Sequence, residues 1–246
     1  MRIAFLSDIH ANLEALEACL ASAVERKADR LVFLGDIVGY GGDPAQCVDR
    51  VRDACRRGAV AVRGNHDEAV GVSRFRLNAA AEAAIALTRS VLDAEAKAFL
   101  VGLPLTHTEE DRLYVHASAA DPGTFPFVET VDEAVACLAA TKARLTVVGH
   151  VHAPAIYTLS ATGKVVRFVP TSDAPIPILS QRRWLAVMGA VGQPRDGNPA
   201  AAYGMLDVGR AEMSFVRVAY DIERAASRIR AAGLPASLWQ RLAQGR

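Results

Sequence analysis

Arg2-Ile3-Ala4-Phe5-Leu6-Ser7-Asp8-Ile9-His10 is the stretch that decides the fold. Ile3 to Leu6 form a continuous apolar run and read as a buried strand, too short for a transmembrane span or the apolar region of a signal peptide. The run gives way to Ser7, and Asp8 and His10 follow two positions apart, so in extended backbone both side chains project to the same side. Asn12 then supplies a helix cap ahead of Leu13, Leu16, Leu20 and Val24 on one stripe.

The same grammar recurs along the first half. Leu31 to Leu34 leads into Gly35-Asp36, then a loop with Gly39, Gly41, Gly42 and Pro44 and a helix near 45–57. Ala59 to Val62 leads into Gly64-Asn65-His66-Asp67. An alanine-rich segment from Asn78 to Leu100 reads as helix in two pieces split near Asp93. Leu113 to Val115 ends in His116, a helix follows around 130–142, and Leu145 to Val148 ends in Gly149-His150-Val151-His152. This βαβ rhythm predicts an α/β fold with parallel pairing and right-handed crossovers. The second half changes character. Segments 154–159, 164–169, 184–191, 201–208 and 212–219 are short, β-rich and punctuated by turns such as Thr162-Gly163 and Asp196-Gly197, which predicts antiparallel hairpins or a meander. A helix over 221–232 stops at Gly233, and a short terminal one lies near 236–243. No repeat or linker divides the chain, so residues 1–246 are expected to form one domain with two sheets.

Composition narrows the function. Hydrophobic residues make up 51% of 246, enough for a substantial core and against disorder. Lys and Arg total 28 against 27 Asp and Glu, a balance that offers no global attraction to nucleic acid or an anionic membrane. Cys19, Cys47, Cys55 and Cys137 show no CxxC spacing and are expected as free thiols. With no apolar run near the roughly 18 residues that span a bilayer, the expectation is a cytoplasmic protein. Arg224, Arg228 and Arg230 read as a solvated helix face.

Five apolar strands thus all deliver Asp, Asn or His at their C-terminal ends, the edge where open α/β sheets bind ligands. Five of the six histidines lie in these loops, His107 alone standing apart. Imidazole and carboxylate together suit first-row divalent cations, and the lack of Cys in these loops speaks against a thiolate site. Asp8, His10, Asp36, Asn65, His116, His150 and His152 are too many ligands for one tetrahedral ion, but they suit two adjacent ions sharing a carboxylate. Glycines 35, 64 and 149 would let backbone pass close to the ions.

Ser7-Asp8-Ile9-His10, Gly35-Asp36, Gly64-Asn65-His66-Asp67, His116 and Gly149-His150-Val151-His152, in that order, resemble the calcineurin-like metallophosphoesterases. Val191-Gly192-Gln193-Pro194-Arg195-Asp196-Gly197 is similar to a bacterial branch of small phosphoesterases. The resemblance implies a four-layer αββα sandwich of two packed mixed sheets. It assigns Asp8, His10 and His152 to one metal and Asn65, His116 and His150 to a second, with Asp36 bridging. It also places His66 as the catalytic histidine, which contacts the phosphate alongside Asn65 and protonates the leaving oxygen. Asp67 is expected to accept a hydrogen bond from His66 and orient it. Tyr40 and Arg195 are candidate substrate contacts, the latter through its planar fork. Three positions depart from the pattern: Ala11 where many relatives carry Gly, Gly42 where the bacterial branch usually has Pro, and Ala190 where it has Ser. Gly39-Tyr40-Gly41 replaces the Asp-Arg-Gly of the protein serine/threonine phosphatases, which turns the reading away from phosphoprotein substrates.

The implied function is metal-dependent hydrolysis of a phosphodiester or small phosphorylated metabolite. Water activated between the ions attacks phosphorus while His66 acts as general acid. Mn²⁺ is the expected ion, with Fe, Zn or Ni as alternatives. The expected partners are a small phosphorylated substrate and, through the β-rich half, a second copy of the chain; no nucleic acid or membrane is expected. The alternatives are a dinucleoside polyphosphate hydrolase and a non-catalytic scaffold of the same fold, the latter disfavoured because His66 and the full ligand set are present.

Overall fold

A computed structural model describes residues 1–71 and 77–246. The first strands are β1 (Arg2–Leu6), β2 (Arg30–Phe33) and β3 (Val60–Ala61), joined by helices α1 (Leu13–Glu25) and α2 (Pro44–Arg56). After β3 come helices α3 (Asn65–Gly71), α4 (Ala79–Val91) and α5 (Ala94–Gly102). Next are β4 (Thr106–Glu109), β5 (Arg112–Val115), α6 (Val131–Ala139), β6 (Leu145–Val148), β7 (Ala155–Leu159), β8 (Val165–Phe168) and β9 (Ile176–Pro177). The chain closes with β10 (Arg183–Val187), β11 (Ala201–Asp207), β12 (Glu212–Val218), α7 (Ile222–Ala231), α8 (Ala236–Gln240) and a 3-10 turn over Leu242–Gln244.

These strands form two six-stranded mixed sheets, ordered β3-β2-β1-β11-β12-β9 and β4-β5-β6-β10-β7-β8. Alternation within each apolar run explains the layers. Ile3, Phe5 and Val32 face the second sheet and pack with Tyr114, Leu145, Val147, Trp184 and Met188. Ala4, Leu6 and Phe33 point the other way, onto Leu16, Cys19, Val48, Val51 and Leu100 of the helices. On the far side, Val115, Val148, Leu185 and Val187 pack against Ala134, Cys137 and Leu138 of α6. Helix, sheet, sheet, helix is therefore the layering the resemblance implied. Among the described residues no helix is long and apolar enough to cross a membrane, and all four cysteines are free.

Some expectations need correction. The second half is not wholly antiparallel: β7–β8 and β11–β12 are hairpins, but β10 runs parallel to β6, from Trp184 beside Leu145 to Val187 beside Val148. The strand expected over 184–191 leaves its sheet after Val187. Met188 N–H still donates to Val148 O at 2.7 Å, whereas Val191 and Gly192 N–H donate to Ser7 O and Asp8 O of the other sheet at 2.8 and 2.9 Å. Residues 188–192 thus stitch the two sheets together at the end where the polar loops emerge. Arg228 is half-buried and ion-paired, not merely solvated; it meets Glu14 at 2.7 Å and Asp43 at 2.9 Å. Its helix seats directly on Gly42, where any β-carbon would lie 2.7 Å from the Arg228 backbone, so the proline usual at that position has no room here.

Phe5 sits in the inter-sheet core with its ring 5.3 Å from that of Tyr114, edge to face. Phe5→Ala should destabilise the protein by about 3–5 kcal/mol, the usual cost of emptying a buried aromatic site. Urea unfolding monitored by circular dichroism checks this, and a loss under 1 kcal/mol would contradict the packing described.

Candidate metal centre

The loops after β1, β2, β3, β5 and β6 converge on one pocket between the sheet ends. Asp8, His10 and His152 bring ligand atoms within 4.8 Å of one another, as do Asp36, His116 and His150; His10, Asp36 and His66 form a third such group. Asp36 is common to two of them, its Oδ2 lying 3.7 Å from His10 Nε2 and 3.5 Å from His116 Nε2. Asn65 Oδ1 lies 3.2 Å from the same His116 nitrogen. Every residue read from the sequence as a ligand therefore reaches this pocket.

The hydrogen bonds around the rings orient them. Nδ1 of His10, His116 and His152 faces the carbonyl of Val38, Leu34 and Gln193, at 3.2, 2.6 and 2.7 Å. A carbonyl only accepts, so each Nδ1 carries a proton and each ring turns its Nε2 inward. His10 Nε2 and His152 Nε2 lie 3.0 Å apart, and His152 Nε2 is 3.2 Å from Asp8 Oδ1. The carboxylates are prepared in the same way. Asp8 Oδ2 accepts from Ser7 Oγ at 2.6 Å and His150 N–H at 3.0 Å, while its buried Oδ1 faces His152 Nε2 at 3.2 Å. Asp36 Oδ1 accepts from His66 N–H at 2.8 Å and leaves Oδ2 to the imidazoles. An arrangement of inward nitrogens and oxygens with their outward atoms held is the donor set of a divalent cation site.

Charge follows from this crowding. Burial would raise both carboxyls, but His152 beside Asp8, and His116 with His66 beside Asp36, hold them well below the usual carboxylate range. Burial depresses His10 and His66 and takes His150 down to about 3. His116 goes the other way: burial opposes its charge, yet Asp36, with Asp8 behind it, carries it up to about 9.

The backbone is bent to make this possible. Asp8, His10, Ala11, Asp36, Tyr40, His150 and His152 all have φ between +48° and +67°, a region that side chains other than glycine rarely occupy. Where many relatives have Gly, Ala11 takes a φ of +50°. Gly149 is needed for close approach: a β-carbon there would lie 1.7 Å from Ser7 Oγ and 2.7 Å from Asp8 Oδ2. The glycines thus clear room for the carboxylates' own neighbours.

Tyr40, Asn65, His66, Arg195, Leu77 and Phe127 help line a cavity of about 140 Å³ that opens onto this cluster. The Arg195 guanidinium lies 5.7 Å over the Tyr40 ring. His66 is buried, 4.5 Å from Tyr40 between ring centres, and its Nδ1 has no hydrogen-bond partner among the described residues. Asp67 does not orient it. The Asp67 carboxylate accepts instead from the backbone of Ile37, Val38 and Gly64 at 2.9, 3.3 and 3.0 Å, clamping the β2 loop to the β3 loop. Burial, with Asp36 close by, pushes this carboxyl up to about 7. Two contributors were given no role in the sequence reading: Ser7, which aims Asp8, and Phe127, which stacks on His150 at 4.2 Å. The serine directly before a ligating aspartate was a usable clue; Phe127 lies in an irregular loop, with nothing to mark it.

A family model for the calcineurin-like phosphoesterase superfamily domain matches residues 1–211. The chain belongs to that superfamily. It is similar to an uncharacterized protein of Methanocaldococcus jannaschii, 34% identical over 99% of this chain and 98% of the relative. It is also similar to the phosphodiesterase YfcE of Escherichia coli, 28% identical over 84% of this chain and 88% of that one. Among solved structures, a metallophosphoesterase from Sphaerobacter thermophilus superposes with a TM-score of 0.88 at 36% identity, covering 100% of this chain and 99% of the other. The protein is accordingly a metal-dependent phosphoesterase, with candidate ligand groups in place.

Protons and cations compete for the same lone pairs. Since His116 holds its proton up to about pH 9, ligation must displace that proton, and cation affinity should rise with pH until that range is passed. Calorimetric titration with Mn²⁺ in buffers of different ionisation enthalpy should show proton release that shrinks above pH 9; affinity independent of pH would contradict this.

Proposed function

We propose that the pocket holds two divalent cations and hydrolyses phosphoesters, with phosphodiesters or small phosphorylated metabolites as substrates. Asp8, His10 and His152 would hold one ion, Asn65, His116 and His150 the other, and Asp36 both. Mn²⁺ is the ion the mixed oxygen and nitrogen set suits first, with Fe, Zn and Ni able to occupy the same donors. The observation that carries this reading is the 3.0 Å approach of His10 Nε2 and His152 Nε2 beside Asp8 Oδ1, with Asp36 common to neighbouring groups. Cations in such a cage supply Lewis acidity, which activates water and neutralises charge on the phosphoryl oxygens.

The chain's own residues do the rest. His66 sits where its ring, positioned through the Asp36 bond to its backbone N–H, can hand a proton to the departing oxygen. Tyr40 and Arg195 line the same cavity and would grip the phosphate or its substituent. Leu77 and Phe127 supply apolar wall, and the partial dryness strengthens every charge interaction inside. The diester preference is supported by the name of the Escherichia coli relative, a phosphodiesterase.

Metal-depleted protein reconstituted with single cations should cleave p-nitrophenyl diesters in a metal-dependent way; inactivity with every cation against mono-, diester and nucleotide substrates would overturn the reading. His66→Ala should keep its bound cations while turnover falls by about 10²–10⁴-fold on an ester with an alkyl leaving group. The loss should be much smaller with p-nitrophenolate, which leaves without a proton. Equal losses for both leaving groups would remove His66 from the acid role.

A further inference from the structure

Gln193 is almost completely buried, and its side-chain oxygen accepts from two arginines: Arg195 Nη2 at 3.0 Å and Arg241 Nη1 at 3.2 Å. The two guanidinium groups thus meet at one neutral atom. Among the described residues neither forms an ion pair with a carboxylate, unlike Arg112, Arg217 and Arg228. Arg241 Nε is buried with no hydrogen-bond partner among the described residues. Burial and the neighbouring Arg195 charge hold Arg241 below its usual pKa, as expected of two like charges without a counter-ion.

This is not a stray terminal side chain. Leu238 and Leu242, on either side of Arg241, are buried in one cluster with Tyr40, Ala81 and Ile229. The Gly197 N–H donates to Gly245 O at 3.0 Å and ties the tail to the loop that carries Arg195. Tyr40, the residue between this pair and the cation cluster, feels the charge of both arginines, and Arg195 lines the cavity itself. Arg195 at the cavity wall, with Arg241 behind it through Gln193 and no carboxylate paired to either among the described residues, is the chemistry of phosphate recognition.

We propose that Arg195 and Arg241 form a second anion subsite beside the cation cage, so that the preferred substrate carries a second phosphate-class group besides the phosphoryl being cleaved. The proposal rests on the hydrolytic reading above and names its substrate class. Arg241 is a specificity-determining residue in this scheme and takes no part in the chemical step.

Propane-1,3-bisphosphonate and propylphosphonate test it, because neither holds a scissile ester and binding is read without turnover. Isothermal titration of the Mn²⁺-reconstituted protein should give at least about tenfold tighter binding of the bisphosphonate, a factor that corresponds to 1.4 kcal/mol. Arg241→Gln should bring the affinity ratio close to one, and Arg241→Lys should retain part of it; a merely structural role would weaken both ligands together and leave the ratio intact. In wild type alone the ratio should shrink as salt rises from about 0.05 to 0.5 M. Equal affinities in wild type, a salt-independent ratio or a ratio unchanged in Arg241→Gln would each overturn the subsite. Failure of the ester-cleavage assays would instead strike the hydrolytic reading and leave this ratio standing.

Discussion

Two carboxylates, Asp8 and Asp36, are removed from water on either side of His10, 3.9 and 3.7 Å from its Nε2, and the rest of the molecule is arranged around that constraint. Burying one such charge costs several kcal/mol if nothing compensates. Here each carboxylate has one oxygen tied down by N–H or O–H donors and the other turned toward imidazole nitrogens whose own protons are spent on backbone carbonyls. The result is a cluster rich in electron pairs and short of positive charge. A divalent cation held by these donors would offset the cost of that burial.

Neither sheet could build this alone. Asp8 and Asp36 leave the ends of β1 and β2, while His116 and His150 leave β5 and β6 of the opposite sheet. Residues 188–192 fix the offset between the two rims through backbone bonds to both. Seven residues at the site are forced into left-handed backbone. Strain of this kind, on the order of 1–3 kcal/mol per residue at the upper end, persists only where surrounding structure over-determines it. The inter-sheet core around Phe5, Tyr114 and Trp184 provides that surrounding structure.

Much of this was legible in the residues themselves. Strand ends carrying Asp, Asn or His stood out because an apolar run ending in a ligating side chain is a two-part signal, one for burial and one for chemistry. The first helix cap was legible too: Asn12 Oδ1 accepts from Ala15 N–H at 3.1 Å. What escaped has common physical causes. Helix α3 is seven residues long and opens with Asn65-His66-Asp67, too short to show a period and made of residues that favour turns. Strand β4, Thr106 to Glu109, lacks apolar alternation because it is an edge strand. The parallel register of β10 and the meeting of Arg195 with Arg241 depend on where distant segments come to rest, information that no local window holds. Asp67 shows the converse: its type and place suggested a partner for His66, but three backbone N–H groups claimed its oxygens first.

Strand β1 is central in its sheet, and one of its two neighbours is β11, with Arg2 set against Asp207. During synthesis at about 5–20 residues per second, the amino-terminal strand must therefore wait ~10–40 s for the neighbour that covers its bare edge. His152 and the 188–192 crossing are also late arrivals, so a ribosome-bound chain presents Asp8 and His10 long before they have anything to close around. The full donor set therefore exists only once both halves of the polypeptide have come together.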